Sequence, residues 1–225
     1  MRAKSTRLKQ SKSKSASKAG QARLPAAERR EDILNKASEF FSEYGLTGQT
    51  RSLAAACGIS QRLLYRFFST KAALLAEVYA RTILGPFKGD WLTGLTDRSK
   101  PMEVRLIDFY SDYFEVVLTR RWLRLFLYSS LAEENMAPNY ISTIITRLME
   151  TIVEETAAEQ GVSLPYDPEV VHELGWVLHG TISHFAIRRH LYHASQAITA
   201  DEVIHMHISS FLGGFKDMVK SGSEK

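Results

Sequence analysis

Arg62 and Arg66 stand four residues apart with Gln61 before them and Tyr65 between, a spacing that gathers two guanidiniums on one face of a helix. Arginine and glutamine make paired hydrogen bonds to base edges, and a phenol or a capping hydroxyl suits a phosphate oxygen. That chemistry needs a scaffold, and the surrounding stretch CGISQRLLYRFFSTK supplies one. At 100° per residue Leu64 and Phe68 fall together inward, while Arg62 and Arg66 fall on the opposite side with Tyr65 and Leu63 on its flanks. Gly58 permits a left-handed turn and Ser60 is placed to cap the helix. The simpler reading, in which Leu63, Leu64, Phe67 and Phe68 only fill a core, explains the apolar residues but not the basic face.

The preceding elements follow from helical periodicity. From Pro25 the apolar residues Ile33, Ala37, Phe40 and Tyr44 step by 4, 3 and 4, and Gly45 is placed to close that helix. Thr50 is expected to cap a short second helix that turns Leu53, Ala54 and Cys57 inward. A fourth helix is expected from about Thr70 to Leu84, with Leu74, Leu75 and Val78 buried. A short helix, a glycine turn and a helix with a polar, basic outer face form a helix-turn-helix, whose second helix can enter a major groove.

Charge is laid out in the same sense. The formal net charge of +4 divides into +8 for residues 1–23, which contain no acid, +2 for 24–84 and −6 for 85–225. Residues 1–23 are Lys, Ser and Ala with little to bury, so they are expected to be a disordered basic arm. Positive charge at one end beside an acidic remainder suits a polyanionic partner at that end. With 225 residues and 44% hydrophobic content, the chain can hold one sizeable core and a small second domain. It shows neither a spanning apolar run nor a secretory signal, which implies no membrane and a cytoplasmic protein. The one cysteine, Cys57, fits a reducing compartment and a buried packing role.

The sequence EDILNKASEFFSEYGLTGQTRSLAAACGISQRLLYRFFSTKAALLAEVY resembles the DNA-binding domain of the TetR family of bacterial transcriptional regulators over about Arg29 to Tyr79. The resemblance rests on the phenylalanine-rich first helix ending in glycine, the Cys-Gly-Ile-Ser turn, Leu-Tyr-Arg-x-Phe and Ser-Thr-Lys before a leucine-rich helix. It implies that Thr50, Arg51, Tyr65 and Lys71 touch the DNA backbone and that Gln61, Arg62 and Leu63 face bases; Arg66 joins them by its position. The family commonly has a small residue at Arg62, a Thr, Ser or Ala at Leu63, and His or Tyr at Phe67, so the operator sequence does not carry over. The resemblance further implies a homodimer on a near-palindromic double-stranded operator, usually a repressor, released by a small-molecule effector bound in a carboxy-terminal helical domain.

Beyond Gly85 and Pro86 the stretch to Pro101 is expected to be a connection, followed by helices over Met102 to Val117, Arg120 to Leu131, Ile141 to about Glu159, Pro168 to about Tyr192 and Ala200 to about Lys220. The class is all-α, with domains at 24–84 and 85–225. Gly175, Gly180, Gly213 and Gly214 on the last two helices suit close helix contact between chains, or packing within one. Tyr110, Tyr113, Trp122, Phe126, Tyr128, Trp176 and His179 could line an apolar pocket for an apolar or aromatic effector. Asp108, Asp112 and Glu115 lie opposite the apolar stripe and read as solvated.

All seven histidines follow residue 171, and His172, Trp176, His179, Ser183 and His190 share a helix face. Seven residues of rise separate His172 from His179 by about 10 Å, too far for one ion. His190 and His193 alone could chelate, with no third ligand nearby, so neither a metal nor another cofactor is expected. An α-helical metal-binding enzyme lacks a nucleophile, base and orienter grouping, and we expect no enzyme. An interaction module that no longer binds DNA is the other alternative.

Overall fold

The computed structural model describes residues 25–132, 141–192 and 197–223; residues 1–23 and His193, on which two of the expectations above rest, lie outside them. Among the described residues the only regular elements are helices, joined by turns and short loops, with no strand. The order is α1 (Ala26–Tyr44), α2 (Thr50–Ala56), α3 (Gln61–Phe67), α4 (Lys71–Tyr79), α5 (Asp90–Leu95), α6 (Met102–Val116), α7 (Arg120–Leu131), α8 (Thr146–Gln160), α9 (Pro168–His190) and α10 (Ala200–Ser223).

Local signals set the first elements. Gly45 closes α1 at φ 76°, its N–H bonded to the Phe41 carbonyl at 3.0 Å. Gly58 takes φ 68° between α2 and α3, a conformation that costs L side chains about 1 kcal/mol or more. Ser60 then caps α3 by accepting from the Leu63 N–H at 3.1 Å, and Thr70 caps α4 by accepting from Ala73 N–H at 3.0 Å. Ile33, Ala37 and Phe41 of α1, Leu53 of α2, Leu64 of α3 and Phe68 after it meet in one core. Two wider turns, Ala80–Leu84 after α4 and Ile141–Ile145 before α8, extend their helices with i→i+5 geometry.

The remaining helices pack around α6 and α9. α9 lies on α8 and α10, α10 lies on α6, and α7 docks on α1. The expected connection over 86–101 needs correcting, because Asp90–Leu95 is a helix that buries Trp91 and Leu95 against α6. Asp112 is not simply solvated either: it accepts from the Trp91 Nε1 at 2.7 Å and from Lys88 Nζ at 2.7 Å. A buried indole N–H needs an acceptor, and Asp112 on α6 supplies it to Trp91 of α5. Lys88 holds the Asp112 carboxyl below the usual range. Beneath them Arg105, 3% exposed, ties three elements together through the Leu95 carbonyl at 2.7 Å, Glu155 at 2.9 Å and Glu159 at 3.1 Å.

Gly175 belongs to this core. A Cβ there would fall 2.6 Å from Met149 Cβ, so the glycine lets α9 approach α8. Gly180 and Gly213 face open space.

Candidate nucleic-acid interface

The outer face of α3 is built by what α2 does to it. Thr50, expected as the α2 cap, is instead the first helical residue; Gln49 holds the cap position without a side-chain bond. Thr50 is 8% exposed, and its hydroxyl turns toward α3, where it lies 3.1 Å from the Tyr65 hydroxyl and accepts from Gln61 Nε2 at 3.1 Å. A hydroxyl can donate once and accept twice, so one threonine holds both partners. Gln61 and Tyr65 are thereby braced to α2 rather than projecting independently.

Arg51, Arg62 and Arg66 remain outward. All three are exposed, and none forms an ion pair among the described residues, whereas Arg30 pairs with Glu77 and Arg81 with Glu31 nearby. Leu63 is half-buried on the flank of α3. Lys71, half-buried in the first turn of α4, places Nζ 5.9 Å from the centre of the Phe41 ring. The face therefore offers three uncommitted guanidiniums on a rigid two-helix support, the chemistry of polyanion binding with paired donors for base edges.

Residues 33–78 match the model of the bacterial regulatory proteins of the tetR family. That match places the family's amino-terminal domain on α1 to α4. Solved structures extend the likeness to the whole fold. A TetR-like transcriptional regulator from Rhodococcus sp. RHA1 is 20% identical, with a TM-score of 0.64 over 85% of this chain and 100% of that one. AmtR from Mycobacterium smegmatis is 24% identical, with a TM-score of 0.57 over 91% and 97%. SmeT, the repressor of the Stenotrophomonas maltophilia multidrug efflux pump SmeDEF, is 16% identical, with a TM-score of 0.58 over 82% and 89%. No curated protein matches the chain. The two-domain all-α fold is thus that of tetR-family regulators.

In the carboxy-terminal part α7 has two working faces. One grips the end of α1: Arg124 donates to the Ser42 carbonyl and, at 3.0 Å, to the Glu43 carbonyl, while Arg120 pairs with Glu43 and Arg121 with Glu39 at 2.9 Å. Cations suit a helix carboxy-terminus, whose last carbonyls lack partners. The Arg120 guanidinium holds the Glu43 carboxyl below the usual range. Tyr128, expected in the effector pocket, lies on this face instead, accepting from Arg124 at 2.8 Å and packing its ring near Gly45.

The other face of α7 closes a cavity of about 110 Å³ against α6 and α9. Tyr113, Trp122, Phe126, Trp176 and His179 of the expected pocket residues line it, together with Ser183 and aliphatic side chains. Tyr110 is fully buried beside it rather than in its wall, ring centre 6.2 Å from that of His179, and its hydroxyl has no partner among the described residues. Burial raises the Tyr110 hydroxyl far above its ordinary pKa and lowers that of His179 to about 4. The histidine face of α9 is thus used for packing: His172 Nε2 accepts from Trp176 Nε1 at 2.8 Å, and His190 lies 5.6 Å from the Phe114 ring. Among the described residues no three potential ligands gather for a metal, and no helix is long and apolar enough to cross a membrane.

Proposed function

We propose that the chain is a DNA-binding transcriptional regulator, a repressor that holds a near-palindromic operator as a homodimer and releases it when a small apolar or aromatic molecule enters the cavity. The observation that carries this reading is the α3 surface, where Arg62 and Arg66 stand unpaired on a helix locked to α2 through Thr50. In this reading Gln61, Arg62, Leu63 and Arg66 meet bases, while Thr50, Arg51, Tyr65 and Lys71 meet the sugar-phosphate backbone. Residues 24–84 form the DNA-binding unit, 85–225 the effector and dimerisation unit, and the arm 1–23 adds cations.

The dimer surface is the outer side of α9 and α10. Val177 and Met206 are 43% and 63% exposed there, beside Gly180 and Gly213, which admit a close neighbour. Two-fold symmetry in the protein then imposes an inverted repeat on the DNA. Helix α7 couples the halves, because a ligand that shifts Trp122 and Phe126 shifts the same rigid helix that grips α1 through Arg124. The SmeT likeness favours repression without carrying that repressor's target to this chain. A gel shift with the DNA upstream of the chain's own coding sequence tests the reading: a shifted band at one dimer per duplex, competed by the same duplex and not by random DNA, supports it. Equal competition by random DNA, or no shift, contradicts it.

A further inference from the structure

The two sides of the cavity differ in kind. On the α7 side Trp122 and Phe126 stack, ring centres 4.7 Å apart and planes 14° from parallel. On the α9 side His179 and Ser183, one helical turn apart, put an imidazole and a hydroxyl-bearing side chain in the lining. Both indole N–H groups are already engaged, Trp122 with the Ile83 carbonyl at 3.3 Å and Trp176 with His172 at 2.8 Å. His179 is 4% exposed and its Nδ1 has no hydrogen-bond partner among the described residues. A buried polar atom left unpaired is a standing cost that a bound molecule can remove.

Charge and size narrow the molecule. Among the described residues no Lys, Arg, Asp or Glu lines the space, and burial keeps His179 neutral at ordinary pH. An ionised ligand would shed its hydration shell and meet no counter-charge. The volume, about 110 Å³, is below the roughly 150 Å³ of an apolar cavity that accepts benzene, so one ring with a small substituent is the scale it suits after slight adjustment.

We propose that the cavity binds an uncharged single-ring aromatic molecule carrying one hydroxyl or amino group, with its ring against Trp122 and Phe126 and its polar group at His179. The proposal rests on the effector-responsive reading above and makes His179 the residue that decides ligand choice.

Calorimetric titration of the full chain, without DNA, with phenol, toluene and benzoate tests it. Phenol is expected to bind saturably, one per chain, about tenfold more tightly than toluene, the contribution of one buried hydrogen bond. Benzoate is expected to bind more weakly than either. His179→Leu is expected to keep toluene affinity and erase the phenol advantage. Should that variant fail to fold, as judged by its circular dichroism, His179→Gln retains a polar group and is expected to keep most of the advantage. Benzoate binding as tight as phenol, an undiminished phenol preference in His179→Leu, its loss in a folded His179→Gln, or no saturable binding of phenol would overturn the proposal. Because no DNA is present, such a failure would leave operator binding untouched; conversely, phenol selectivity in a protein that shifts no operator would refute the regulator and spare the ligand class.

Discussion

Arg124 donates to the carbonyl of Glu43 at 3.0 Å, so the last turn of α1 is capped by a residue 81 positions away on α7. The same guanidinium holds the Tyr128 hydroxyl at 2.8 Å and reaches the Ser42 carbonyl. Arg124→Ala should therefore lower stability by about 1 kcal/mol and speed hydrogen exchange in the last turn of α1. Arg121→Ala, which removes an exposed pair with Glu39, should change both measurements little. Equal effects of the two substitutions would show that the grip is diffuse rather than centred on Arg124.

Thr50 gives the second prediction. Thr50→Val keeps the shape but leaves Tyr65 and Gln61 without their shared partner. Folding stability should change by no more than about 1 kcal/mol, while operator affinity falls several-fold, as α3 loses the brace that orients its outer face. Fluorescence anisotropy on a labelled operator, with denaturant melts in parallel, checks the split. Loss of stability with unchanged operator affinity would assign Thr50 a packing role alone.

Two glycines should fail for different physical reasons. Gly58 has nothing within 4 Å of an added Cβ but sits at φ 68°, so Gly58→Ala should cost about 1 kcal/mol of backbone strain and Gly58→Asn less. At Gly175 the added Cβ would lie 2.6 Å from Met149 Cβ, an atom that cannot swing aside, so Gly175→Ala should cost about 1 to 3 kcal/mol by parting α8 from α9. Urea melts of the three variants give the ranking.

The amino-terminal helices were largely readable because each signal there acts on the backbone itself. Gly45, Gly58, Ser60 and Thr70 impose turns and caps whatever surrounds them. Helix α5 was not readable, since Thr93, Gly94 and Thr96 look like loop and only the spacing of Trp91 and Leu95 hints at a buried face. Tyr128 was misassigned for a related reason. Trp122/Phe126 and Arg124/Tyr128 are both i,i+4 pairs on one helix, and periodicity does not say which face meets which neighbour. The Thr50 hydroxyl is a third case, because a threonine at a helix start reads as a cap until the partner helix is placed.

His179 makes stability depend on pH. Burial lowers its pKa from 6.5 to about 4, so between those values the unfolded chain binds a proton that the folded chain refuses. Stability contributed by this group is full above pH 6.5 and falls as the pH drops toward 4, by about 2 kcal/mol at pH 5. His179→Leu removes that term. Guanidinium melts at pH 7.5 and pH 5 should show a smaller loss for the variant than for the parent; an identical loss would mean that His179 titrates normally in the fold.

The central claim is that the outward face of α3 reads DNA, and selection of bound duplexes from a random pool, run in parallel with the parent chain and Arg62→Ala, tests it most directly. The parent should enrich an inverted repeat of two half-sites. Arg62→Ala should bind that repeat about 1 to 3 kcal/mol more weakly and relax preference at one position in each half-site, leaving the others intact. A parent chain that enriches no repeat, or an Arg62→Ala variant that keeps full discrimination at every position, would contradict it.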